Sequence, residues 1–220
     1  RIFSNSWGGY GTDTALQDAI SQYSDALFIC AAGNDGSNTD VSPQSPSALP
    51  NANIIAVAAT DHRDNLASFS NYGASTVDVA APGVSIYSTY PGSSYAYMDG
   101  TSMATPHVAG IAALVKAANS GYTVAQVKQA ILGGVDVKSG LSGKCVTGGR
   151  VNAGNLLKIK SGYPVVGVWN GDRSTGVGIY QKTTGYWNLD TDNDGVTDLD
   201  FIWGRNSYIP VSGDWDGDGD

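Results

Sequence analysis

An α/β domain over residues 1–160, followed by a small all-β region over residues 161–220, is the organisation this sequence predicts. Three observations predict it. Apolar runs of strand length alternate with stretches of helical pattern up to about residue 158. Beyond that point short aromatic runs recur instead, at Gly178-Ile179-Tyr180, Tyr186-Trp187-Asn188-Leu189 and Phe201-Ile202-Trp203. The charge changes at the same place: residues 1–164 hold ten acids against nine bases, residues 165–220 ten against three, and every acid is Asp.

In chain order, a helix is expected near 13–24 and a strand over Ala26-Leu27-Phe28-Ile29-Cys30-Ala31-Ala32, ended by the loop signal Gly33-Asn34-Asp35-Gly36. Asn53–Thr60 and Thr76–Gly83 read as further strands, and helices are expected at 102–118, 123–132 and 152–158. Gly100 suits the tight entry to the second helix, and Pro106 is tolerated because a first helical turn has no use for its missing N–H. Val108, Ala109 and Ile111–Val115 are apolar on every face, so this helix is expected to lie buried in the middle of the domain. Cys30 and Cys145 leave both a disulfide and two buried thiols open. No run of eighteen apolar residues is present to span a membrane, and a net charge of −8 argues against nucleic acid as a partner.

The chemistry is concentrated in Gly100-Thr101-Ser102-Met103-Ala104-Thr105-Pro106-His107-Val108-Ala109-Gly110. Ser102 falls in the first helical turn, where backbone N–H groups lack helical partners and the dipole favours negative charge. The whole string resembles the nucleophile motif of the subtilisin-like serine proteases, the subtilases. Two more segments share the resemblance: Ala31-Ala32-Gly33-Asn34 and Ser4-Asn5-Ser6-Trp7-Gly8-Gly9. It extends over nearly all of residues 1–157. It implies a parallel sheet flanked by helices and peptide-bond hydrolysis through an acyl-enzyme on Ser102. Asn34 and the Ser102 N–H would donate to the oxyanion. Ser6, Trp7 and Gly8 would face Ala31, Ala32 and Gly33 across a groove that binds a polypeptide substrate by strand addition. The composition is that of a secreted-type chain, which makes an extracellular location the expectation.

Subtilases use Asp, His and Ser in that order, and no base stands upstream of Ser102 in the expected motifs. His107 lies five positions after Ser102 on the same helix, about 140° round and about 7.5 Å along it, and His62 lies in a polar turn. The chain starts at Arg1 beside the substrate-strand motif, so a missing N-terminal portion carrying Asp and His is expected, and the fragment alone is expected to be inactive. Two other readings stand beside this one. An α/β-hydrolase is suggested by Gly100–Ala104 but would need Asp and His after the serine. A non-catalytic, calcium-dependent extracellular binding or adhesion protein would keep the tail and lose the triad.

In the tail, Asp190, Asp192, Asp194 and Asp198 are spaced, with Gly195 sixth, to converge on calcium together with the Val196 carbonyl. Phe201 stands where an EF-hand has Glu. Tyr163–Asp172 recurs as Ile209–Asp218, an offset of 46 residues. The pattern resembles FG-GAP-type calcium-loop repeats, and implies an incomplete, propeller-like β-repeat module.

Overall fold

The computed structural model describes residues 1–157 and, as backbone, the strand residues 163–167, 176–181, 186–190 and 199–202. The chain divides into two units, 1–157 and 158–220.

The first unit opens with β1 (Ile2–Asn5), the two-residue β2 (Gly9–Tyr10), α1 (Thr14–Gln22) and β3 (Leu27–Ala31). The short β4 (Gln44–Ser45), β5 (Ile54–Thr60) and β6 (Val79–Pro82) follow. A hairpin of β7 (Ile86–Tyr90) and β8 (Ser94–Met98) leads into α2 (Thr101–Ala118) and α3 (Val124–Gly133). β9 (Asp136–Val137), β10 (Gly149–Arg150) and α4 (Ala153–Leu157) complete it. The sheet has the order β1-β3-β5-β6-β10-β9, parallel except for the edge strand β9.

The apolar runs behave as a parallel sheet requires. All seven residues of β5 are buried, as expected for a central strand covered on both faces, where alternation has no use. Ile29, Ile55, Val57 and Val79 pack on one face against Ala104, Val108, Ala112 and Val115 of α2. On the other, Ile20 of α1 packs with Cys30, Leu49 and Ile54. Asp13 caps α1 by accepting from Leu16 N–H, and Thr123 with Gln126 forms a capping box on α3.

Two expectations need correction or a decision. Helix α2 is not buried all round: Pro106, His107, Gly110, Ala113, Leu114 and Ala117 are exposed, Leu114 by 50%. An apolar sequence therefore reports that a face can be covered: among the described residues the sheet, α3 and α4 cover most of this helix, and the face at Pro106, Gly110, Ala113 and Leu114 stays open. Cys30 and Cys145 are both buried free thiols rather than a disulfide, and burial pushes the Cys30 thiol up to about 12.

In the second unit, β11 (Tyr163–Gly167), β12 (Gly176–Gln181), β13 (Tyr186–Asp190) and β14 (Leu199–Ile202) pair in sequence order as an antiparallel sheet. Asp190 is the last residue of β13, whereas Asp192, Asp194, Val196 and Asp198 lie outside the described residues.

Candidate active site

β1 and β3 run side by side in parallel, with Asn5 opposite Cys30. Their carboxyl ends therefore deliver Ser6–Gly8 and Ala32–Asn34 to one rim of the sheet, the rim at which open α/β sheets characteristically bind ligands. The amino end of α2 arrives at the same rim. Its entry residue, Gly100, has φ +153°, a conformation L side chains rarely adopt, and its N–H is tied to the Gly83 carbonyl just past β6.

Thr101 then clamps the Asn34 loop. Its N–H and its hydroxyl both donate to Asn34 Oδ1 at 2.9 Å, and its Oγ1 accepts from Gly33 N–H at 3.2 Å. Because a backbone N–H can only donate, the carbonyl end of the Asn34 amide must face Thr101, and the Nδ2 end is turned away from it. Asn34 itself is exposed. Such a neutral donor, fixed in advance, can meet charge that appears only during a reaction.

Ser102 is the second residue of α2, so the helix supplies no partner for its N–H. Its carbonyl is also unusual. Contrary to the first-turn expectation, Pro106 is the sixth residue of α2, where the helical donor to that carbonyl would be, and it has no N–H to give. The Ser6 hydroxyl fills the vacancy, donating to Ser102 O at 2.8 Å, while Ser102 Oγ donates to Ser6 O at 3.3 Å. The strand-end segment and the serine are thus tied by a reciprocal pair.

Ser102 also opens onto a cleft of about 380 Å³, walled by Ile86 and Met98 of the hairpin and by Met103, Pro106 and His107 of α2. His107 lies on this wall, but a ring nitrogen, Nδ1, is engaged with the Met103 carbonyl at 2.8 Å. Among the described residues, no imidazole or carboxylate bonds Ser102 Oγ, and His62 is exposed in its turn.

The remaining candidates divide by exposure. Ser6, Trp7 and Gly8 are exposed, Trp7 by 55%, so this tryptophan is available to a ligand rather than part of the core. Ala31 and Ala32 are buried, and Ala32 N–H and C=O are bonded to Val57 O and Asn71 Nδ2, so on that side the wall is backbone and the half-buried Gly33 is its open end. The sequence reading missed the Thr101 clamp, although Thr101 lies inside the quoted motif. It also missed Asn71 and Gln44, which have no local signal. No group of three or more His, Cys, Asp or Glu side chains that could hold a metal ion occurs among the described residues.

The comparisons with known proteins agree with this geometry. The profile of the Subtilase family matches residues 1–148. Thermitase of Thermoactinomyces vulgaris is 46% identical over 155 residues, which are 70% of this chain and 52% of thermitase. A thermophilic serine proteinase of Bacillus sp. (strain AK1) is 47% identical over 146 residues, 66% of this chain and 34% of that protein. Among solved structures, proteases from Pseudoalteromonas arctica align with a TM-score of 0.64 and 31% identity, over 72% of this chain and 50% of theirs. The chain spans about half or less of the length of these relatives. By a family match that covers well over half of its residues, the chain belongs to the subtilases, a family of serine proteases.

Proposed function

We propose that the chain is the nucleophile-bearing part of a secreted serine endopeptidase. The single observation that carries this reading is the Thr101 clamp, which turns Asn34 Nδ2 away from itself at the start of the helix that bears Ser102. In the reaction, Ser102 Oγ attacks the scissile carbonyl carbon as its proton passes to a base. The developing oxyanion accepts from Asn34 Nδ2–H and Ser102 N–H. Collapse breaks the C–N bond, the base gives its proton to the leaving amine, and water then hydrolyses the acyl ester on Ser102. The polypeptide substrate lies between Ser6, Trp7 and Gly8 and the backbone of Ala31, Ala32 and Gly33.

The base and its orienting carboxylate come from polypeptide outside these 220 residues. Support for this is that, among the described residues, no imidazole or carboxylate bonds Ser102 Oγ and the apolar α2 face at Gly110, Ala113 and Leu114 is exposed. The cleft onto which Ser102 opens is where an imidazole would reach its Oγ. No helix among the described residues is long and apolar enough to cross a membrane.

Residues 1–160 are, in this reading, the C-terminal part of the peptidase domain, and 161–220 an incomplete β-repeat module with a calcium loop. The donor set of that loop, Asp190, Asp192, Asp194, Asp198 and the Val196 carbonyl, is all hard oxygen and fits calcium by chemistry. Calcium there would neutralise the clustered carboxylates. The test of the protease reading is mass spectrometry of the whole protease quenched in acid during turnover of a peptide ester. An acyl adduct on Ser102 is expected, and its absence in an enzyme that still turns over would overturn the mechanism.

A further inference from the structure

Asn71 is fully buried, lies 37 residues after Asn34 in the chain, and turns its backbone N–H and its side-chain amide to the Asn34 loop. Its Oδ1 accepts from Asp35 N–H at 3.0 Å and Ser37 N–H at 2.9 Å. Its Nδ2 donates to Ala32 O at 2.9 Å, and its own N–H donates to Gly33 O at 2.9 Å. The partners thus lie on both sides of residue 34, two before it and two after, and none is Asn34 itself. Gly33 is pressed between Asn71 and Gln44. With φ at +105°, a Cβ built on it would lie 2.3 Å from Asn71 Nδ2 and 2.4 Å from Gln44 Oε1. Gln44 Nε2 in turn donates to Asp35 Oδ2 at 3.0 Å.

We infer that Asn71 is a positioning residue for the oxyanion donor: it fixes both arms of the loop so that Asn34 stands between two anchored segments with its Nδ2 unspent. The inference rests on the protease reading given above. The physical case is one of satisfaction. A buried amide is costly unless bonded, and a loop that must leave one amide free for a ligand needs its other polar groups held by something rigid. A side chain that accepts two N–H groups and donates to a carbonyl can hold three backbone positions from one point, which an apolar residue of the same size cannot. Thr101 orients the Asn34 side chain, and Asn71 holds the backbone that carries it.

The test is a double-mutant cycle in the whole protease, with Asn71→Leu as the size-matched apolar variant and Asn71→Ser as the milder one. Asn71→Leu is expected to lower kcat by roughly 10-fold or more with KM within about twofold, less than the roughly 10²–10³ attached to an oxyanion-hole donor itself. In the Asn34→Leu background the same substitution should add less than about threefold, because the group being positioned is gone. Binding of a peptide boronate should weaken in step with kcat/KM, whereas binding of a product peptide should not. Amide exchange should quicken at Asp35 and Ser37. Equal losses in both backgrounds, or a loss confined to KM, overturn the inference. If Asn71→Leu does not fold, Asn71→Ser runs the same cycle with the same criteria. A parent enzyme with no turnover would instead refute the protease reading.

Discussion

Two polar clusters sit at different places on the same sheet and are built on opposite terms. At the carboxyl ends of β1 and β3, Ser6, Asn34, Thr101 and Ser102 are neutral, and their bonds orient atoms while leaving Asn34 Nδ2 and the Ser102 N–H to a ligand. At the β9–β10 corner the groups are charged and answer one another. Arg150 bonds Asp64 at 2.6 Å and Asp136 at 3.0 Å, Lys138 bonds Asp64 at 2.8 Å, and Asn152 and Asn155 add donors to Asp136. The first cluster withholds partners and is suited to chemistry. The second completes them and is suited to holding an edge strand two residues long. If the contrast is sound, substitutions in the two places should separate activity from stability.

The largest separation is expected at the nucleophile. Ser102→Ala in the whole protease should remove proteolysis by on the order of 10⁶-fold, the scale found for subtilisin, while changing stability by less than about 0.5 kcal/mol. Progress curves and a denaturant titration check both halves. Next comes Asn34→Leu, expected to lower kcat by roughly 10²–10³ with little change in KM, since the donor meets charge only in the transition state. A loss expressed mainly in KM would break the assignment.

The corner should behave in reverse. Arg150→Met removes both ion pairs and a bond to Val151 O, and its side chain is 23% exposed, so about 1–2 kcal/mol of stability should be lost with kcat unchanged. The smallest effect is the pH dependence. Hydrogen bonding by Lys138, helped by Arg150 and opposed by burial, holds the Asp64 carboxyl below the usual range; bonding by Asn152 does the same for Asp136. Groups lowered in the folded state contribute stability that is present above their unfolded value of about 3.9 and is lost as pH falls through the folded value. Thermal midpoints should therefore decline below about pH 4, less steeply in Asp64→Asn. Burial raises Asp78 and acts in the opposite sense, so the comparison is between variant and parent at each pH.

Much of this was legible in the residues. The apolar runs at 27–31, 54–60 and 79–82 became adjacent parallel strands, and the Gly100–Gly110 string placed Ser102 in the first turn of a helix. Asn34 and Ser6, far apart in the chain, were brought to that turn. What escaped depends on contacts rather than on pattern. Asn71 reads as an ordinary loop polar residue until the fold sets it against residues 32–37. The α2 face at Gly110 and Leu114 reads as core because hydropathy cannot say whether a covering element is present. The β7–β8 hairpin had a signal, Pro91-Gly92 between two Tyr-rich runs, that the sequence reading passed over. Strands as short as β9 and β10 have no periodicity to detect.

The central claim is that Ser102 is a nucleophile aimed within this chain but activated from outside it. Active-site titration with a fluorophosphonate tests it most directly, run in parallel on residues 1–220 and on the whole protease, with Ser102→Ala as the control. Stoichiometric labelling of Ser102 in the whole protease, negligible labelling in the 220-residue chain and none in the variant is the predicted result. Rapid stoichiometric labelling of the 220-residue chain alone would mean that a base within it already reaches Ser102, and would contradict the account.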